Sequence, residues 1–294
     1  MGKLGFYIFY GVNWLITLLP LRILYVFSDV LFLLFYYFPT YRKKVVLSNL
    51  ENSFPDKSPA ERRKIGRKFY RHLADLFVET LKLTHLGNRE LKKRFTITNP
   101  ELLKRLYDSD HDLVVVHSHF NNWEWLVSLP LYTEYRIVCI YKPLQNRNFN
   151  NFLNELRSRN NVKLTPMKHV VREVVENREK KIRTIYGFIA DQTPAKPDIR
   201  YYTTFLNQET PVYLGIEKIA ERYNMPVVFF NVQKVKRGCY SLTVELLFEK
   251  TAGLREYTVT EAHVRRLEEL IRQNPEYWLW THRRWKYKRQ EEHD

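Results

Sequence analysis

Two apolar runs open the chain. Residues 4–21 read LGFYIFYGVNWLITLLPL without a charge, Arg22 interrupts, and residues 23–38 read ILYVFSDVLFLLFYYF with only Asp29 charged. A helix that crosses a bilayer needs about 20 apolar residues, so the first run is barely long enough and Asp29 divides the second. Pro20 is expected to kink the join. Arg42, Lys43 and Lys44 follow at once; such a cluster favours the cytoplasmic side and attracts anionic headgroups. A cleaved signal peptide fits poorly, since the run is long, only Lys3 precedes it, and no small-x-small site follows. The expectation is an N-terminal membrane anchor over residues 1–44, spanning or lying in the interface, with residues 45–294 folded on the cytoplasmic side. The alternative is a buried helical hairpin.

Beyond the anchor the periodicity changes twice. Ser58-Pro59-Ala60-Glu61 combines a Ser cap, Pro in the first turn and a capping-box Glu, and predicts a helix to about residue 83 with Ile65, Phe69, Leu73, Phe77 and Leu81 on one stripe. Residues 112–117, 136–141, 184–190 and 227–232 are continuous apolar runs, the pattern of strands buried on both faces. Helix-like segments at 149–159, 169–177 and 211–223 lie between them. Alternation of this kind predicts an α/β fold: a mixed, mostly parallel sheet flanked by helices. Residues 240–248 alternate more strictly and read as an edge strand, and a last helix is expected over 260–272 with Thr260 as its cap.

Composition narrows the class. With 294 residues, 45% hydrophobic and 15% aromatic, the chain is folded and large enough for a sizeable core. Its net charge of +16 favours polyanionic partners. No nucleic-acid module accompanies the charge, and the apolar N-terminus points to an anionic membrane surface, so no nucleic-acid partner is expected. Cys139 and Cys239 sit in apolar settings and read as buried thiols, which suggests a reducing compartment.

The candidate chemistry begins just past the strand at 112–117. His119 is followed five positions later by Glu124, a spacing that does not share a helix face. The two meet only if the chain turns between them, with Asn121 or Asn122 capping the next helix. A His oriented by a carboxylate is a competent general base near neutral pH. His117 lies two residues earlier, on the same face by alternation. No further ligand stands at metal-like spacing, so no metal is expected.

The stretch His119-Phe120-Asn121-Asn122-Trp123-Glu124-Trp125 resembles the His-x-Gly-Asn-Trp-Glu signature of the bacterial lipid A late acyltransferases (lauroyl and myristoyl transferases), within the lysophospholipid acyltransferase superfamily. The likeness continues in order: Asn49-Leu50 and Phe54-Pro55; Tyr141-Lys142-Pro143; Arg157 and Arg159; Ala190-Asp191-Gln192; Phe205-Leu206 with Thr210, Gly215 and Ala220; and Trp280 through Lys286. Asn121 stands where the family usually has Gly, so the turn after His119 either differs or uses Asn in a left-handed conformation. Lys142 stands where it usually has Arg and loses bidentate recognition.

The resemblance implies an acyltransferase at the inner (cytoplasmic) membrane with a glycerol-3-phosphate acyltransferase-like fold and no cofactor. Its donor would be an acyl-carrier-protein thioester, or an acyl-CoA, and its acceptor a hydroxyl of a lipid A precursor. His119 would be the general base, Glu124 its orienter, and no acyl-enzyme would form. Arg157, Arg159, Asp191, Asn122 and Lys142 would contact substrate. Arg157 would bind phosphate or the oxyanion, and Asp191 would orient Arg157 or line the site. A lysophospholipid, aminolipid or other glycolipid acceptor would use the same pair. The terminal His282, Arg283, Arg284 and Lys286 with Trp280 and Trp285 read either as an interfacial patch or as inward-packed Trp residues near the site.

Overall fold

The computed structural model describes residues 3–38 and 41–289; the rest of the expected anchor and terminus lies outside the described residues. Two short helices come first, α1 (Lys3–Ile16) and α2 (Leu21–Tyr37), separated at Pro20. None of the described helices is long and apolar enough to cross a membrane. After α3 (Lys43–Ser53) comes the long α4 (Pro59–Lys82), whose first turn carries the expected box: Ser58 Oγ accepts from the Glu61 amide and Glu61 accepts from the Ser58 amide.

The body alternates strands and helices broadly as the sequence predicts, with further short strands at 95–97, 163–166, 202–205 and 208–211, and the helix expected over 211–223 begins only at Gly215. In order come α5 (Asn88–Arg94), β1 (Phe95–Ile97), α6 (Pro100–Asp108), β2 (Leu113–His117), β3 (Arg136–Tyr141), α7 (Arg147–Arg157), β4 (Lys163–Pro166), α8 (Val170–Glu179) and β5 (Thr184–Ile189). They are followed by β6 (Tyr202–Phe205), β7 (Gln208–Pro211), α9 (Gly215–Tyr223), β8 (Val227–Lys236), β9 (Cys239–Phe248) and α10 (Thr258–Gln273). Seven strands form one sheet in the order β1-β9-β8-β2-β5-β3-β4, parallel except where β9 runs against β8; β6 and β7 make a separate hairpin.

Strand alternation builds the two cores. Val114 and Val116 of β2 face the side covered by α4, α9 and α10, whereas Leu113 and Val115 face the side covered by α6 and α7. His117 follows on the Val115 side.

Two boundary expectations are corrected. The strand at 240–248 is not an edge, because the three-residue β1 pairs with it through Phe95–Ile97. Thr260 does not cap α10; that helix starts two residues earlier, and the Glu217 carboxylate accepts the amides of Tyr257 and Thr260 at 2.6 and 2.7 Å.

Helix α2 is bound to the body by polar contacts. Ser28 donates to Asp75 at 2.7 Å and Tyr25 to Glu79 at 2.8 Å, both on α4. Arg237, in the β8–β9 turn, joins Asp29 and Asp75. Gly238 beside it has φ +70, and a Cβ there would lie 2.1 Å from the Tyr25 hydroxyl. Only glycine fits that turn against α2.

Candidate active site

The carboxyl ends of β2, β5 and β3 converge on one rim, the usual ligand position of an open α/β sheet. β2 ends at His117, and the chain then bends through His119 and Asn121. Asn121 adopts φ 55, the left-handed conformation expected where the family signature has Gly. Its amide donates to the Tyr277 carbonyl at 2.9 Å and its side chain to Val232 O at 2.8 Å, which fixes the bend. Asn122 then caps a 3-10 helix, Trp123–Leu131, by accepting the Trp125 amide.

His119 is held by Asp191, not by Glu124. Its ring Nδ1 lies 2.8 Å from Asp191 Oδ1, and its backbone amide donates to Oδ2 at 3.0 Å. Trp278 Nε1 donates to the same Oδ2 at 2.8 Å. Burial raises the Asp191 carboxyl, but His119 and these donors outweigh it and hold the group down at about 2. Asp191 is therefore a carboxylate that only accepts, so the proton on His119 Nδ1 points to it and Nε2 is the free base. Gln192 Nε2 lies 3.2 Å from that Nε2, and the Trp123 ring meets the imidazole edge-on at 4.8 Å between centroids. His119 is 14% exposed and Asp191 only 2%.

Glu124 has a different partner. Arg157 Nε donates to Glu124 Oε2 at 2.8 Å, Nη2 donates to Oε1, and Trp123 Nε1 adds a bond at 3.1 Å. Burial pushes the Glu124 carboxyl up, yet the paired guanidinium holds it below the usual range. The expected role of Glu124 as orienter of His119 is thus corrected: its oxygens are engaged across the pocket on α7.

Other expected substrate contacts are structural. Asn122 is fully buried and gives its amide to Glu79 at 2.7 Å. Glu79 also accepts from Tyr25 and Tyr240, so it ties α2, β9 and the active-site bend together. Arg159 donates to the carbonyls of Leu83 and Leu86, just past α4. Asp191 neither touches Arg157 nor lines the pocket; it lies behind His119. Arg157 and Lys142 do line the pocket.

The pocket encloses about 1250 Å³ of void, including its open mouth. Val115, Leu126, Ile137, Ile185 and Phe230 make its walls aliphatic and aromatic, and His119, Glu124, Arg157 and Gln192 bring polar groups to it. Cys139 also lines it, with burial pushing its thiol up to about 11. Among the described residues no group of three or more metal-ligating side chains occurs.

The C-terminal segment completes the back of the site. Phe120 bridges to Trp278, and Leu279 donates to the His119 carbonyl at 3.2 Å. Trp278 and Trp280 are buried, as is Arg284, whose guanidinium burial pushes down to about 10 against the pull of nearby Asp191. The terminal Trp residues pack inward beside the site. Trp278 was missed by sequence reasoning; it lies 87 residues from Asp191 and no local pattern links them.

The match to known proteins covers almost the whole chain: the family model for bacterial lipid A biosynthesis acyltransferases aligns with residues 2–287. No individually curated protein shows significant similarity.

Proposed function

The chain belongs to the bacterial lipid A biosynthesis acyltransferase family and is an acyltransferase; from that premise we propose that it moves a fatty acyl chain from a carrier thioester to a hydroxyl of a lipid A precursor, with His119 as base and Asp191 as its orienter. The observation that carries this reading is an imidazole at the end of an apolar pocket whose Nδ1 is held by a buried carboxylate and whose Nε2 side carries only the Gln192 amide.

The acceptor O–H gives its proton to His119 Nε2 as its oxygen attacks the thioester carbonyl carbon. A C–O bond forms, the C–S bond breaks, and the imidazolium returns the proton to the leaving thiolate. Asp191 holds the useful tautomer and stabilises the imidazolium, as a triad carboxylate does. Arg157, two of whose five N–H groups are engaged by Glu124, supplies positive charge for the oxyanion or for an acceptor phosphate. Cys139 is the thiol in the pocket, and a thiol raised to about 11 stays protonated near pH 7 and is a poor nucleophile. Direct transfer without an acyl-enzyme is the course this proposal takes.

We further propose that α1 and α2 seat the protein in the cytoplasmic face of the inner membrane without crossing it. Tyr7, Ile8, Leu15, Val26, Phe27 and Leu33 are exposed on these helices, and Lys43 and Lys44 follow where headgroups would lie. The donor comes from the aqueous side as an acyl-carrier-protein thioester, or acyl-CoA, drawn by the net +16 charge.

Mass spectrometry of lipids from cells lacking the protein tests the acceptor. Loss of one secondary acyl chain from lipid A is expected, and full restoration by wild type but not by His119→Ala. Unchanged lipid A with an altered aminolipid or phospholipid profile would overturn the assignment.

A further inference from the structure

Arg284 has no part in the reaction above, yet it is a charged side chain buried directly behind the site. It is 2% exposed, and its Nε and Nη1 have no hydrogen-bond partner among the described residues. It lines a small cavity together with Asp191 and Ser118, with about 10 Å³ of room, the size of one water. Thr193, two residues past Asp191, donates its hydroxyl to the Arg284 carbonyl at 2.6 Å, and Trp278, earlier in the same terminal segment, donates to Asp191 Oδ2 at 2.8 Å. These two bonds fix the C-terminal segment against the end of β5, where Asp191 sits. A buried charge without an ion pair costs stability, and a methionine would fill the position without that cost. Stability alone does not account for the guanidinium.

Asp191 is a buried carboxylate, and such a group draws positive charge to itself. Two groups are near enough to supply it: His119, by taking a proton, and Arg284, lowered by burial only to about 10 and so still charged near pH 7. We propose that Arg284 is the counter-charge of Asp191, a positioning residue that leaves His119 unprotonated and able to act as base. This rests on the reading of His119 as base and Asp191 as its orienter. The attraction acts across the small cavity, without direct contact, where little water screens it. The other titratable groups around the pair do not compete. Burial holds His117 on β2, and His282 beside Arg284, down at about 4, so both are neutral near pH 7. Burial pushes the Tyr213 phenol up, which keeps it neutral as well. Glu124 and Arg157, across the pocket, offset each other. That leaves Arg284 to balance Asp191.

The test is the pH profile of kcat/KM for acyl transfer by the full-length protein in detergent, for wild type, Arg284→Met and Arg284→Lys. Without the charge, Asp191 draws a proton onto His119. In Arg284→Met the loss of activity in acid is therefore expected to move up by about one pH unit. At a pH on that limb the rate falls about tenfold and returns at higher pH, with KM changed little. Arg284→Lys keeps the charge and is expected to keep the profile. If Arg284→Met does not fold, Arg284→Gln, which removes the charge and keeps an N–H donor, takes its place with the same expectation. An acid limb that stays in place in the folded variant, whatever its rate, would overturn the counter-charge and leave Arg284 a packing role. Transfer by Asp191→Asn at the wild-type rate would instead overturn the reading of His119 and Asp191, and the proposal with it.

Discussion

Asp191 and Glu124 are two buried carboxylates at one site, and their partners give them different work. Asp191 takes the imidazole and an indole; Glu124 takes a guanidinium in a two-point pair. Removing one member of a buried pair leaves the other uncompensated, at a cost of about 3–5 kcal/mol when burial is complete. The Arg157 side chain is 26% exposed, so the cost is discounted to about 2–3 kcal/mol. Glu124→Gln is therefore expected to lower Tm by several degrees and to lower activity. The double variant Glu124→Gln, Arg157→Met should recover much of the stability and none of the activity. Thermal melts and transfer assays on the three variants check this; full activity in the double variant would show that the pair serves folding alone. The sequence made His119 legible, because it follows a run that had to be a buried strand. It made Glu124 look like the orienter because only four residues separate the two. Asp191 is 72 residues away, and the fold, not the spacing, brings it to Nδ1.

At the scale of elements, the strands β2, β3, β5 and β8 were readable because their central positions are buried on both faces and almost wholly apolar; β8 runs on past that stretch through Gln233, Lys234 and Lys236, which the apolar pattern did not mark. The position of β9 was not readable, since its cover, β1, is only three residues long and carries no periodicity. The 3-10 helix at Trp123–Leu131 was expected as a helix with an Asn cap, and Asn122 provides that cap; Pro130 inside it breaks the regular α pattern. Glu79 links three elements to the bend that carries the site. Glu79→Leu, which removes the acceptor of Tyr25, Tyr240 and Asn122 together, is expected to cut kcat at least tenfold, whereas Glu79→Gln keeps part of the network and should lose less. An equal effect of the two would count against positioning through Asn122. Helices α1 and α2 carry the membrane claim. Each large apolar side chain moved from water into lipid contributes about 1.5–3 kcal/mol, so the combined change of Ile8, Leu15, Val26 and Leu33 to Ser should move the protein from the membrane to the soluble fraction. Retention of the folded variant on membranes would mean that other surfaces hold it there.

For the molecule as a whole, buried histidines set the response to acid. Burial holds His117 and His263 down at about 4, below the ordinary value near 6.5. Between those values the unfolded chain binds a proton at each position and the folded chain does not. Stability is thus intact above about pH 6.5, falls as pH drops toward 4, and levels off for these groups below that. The slope is at most about 1.4 kcal/mol per pH unit for each. Urea midpoints at pH 7 and pH 5 are expected to differ clearly, and His263→Leu to narrow the difference; an unaltered difference would mean that His263 gains its proton in the folded state. Asp191 acts in the other range. Its carboxyl is lowered to about 2, so the stability it contributes is present above about pH 4 and is lost as pH falls through 2.

The proposed mechanism turns on the His119–Asp191 pair, and kcat for acyl transfer by purified Asp191→Asn tests it most directly. The amide keeps the shape of the side chain but no longer fixes the Nδ1 proton, and a fall of about 10³–10⁴-fold is expected, as for a triad carboxylate, with KM changed little. Transfer by Asp191→Asn at the wild-type rate, with Glu124→Gln inactive though fully folded, would contradict the account and return the orienting role to Glu124.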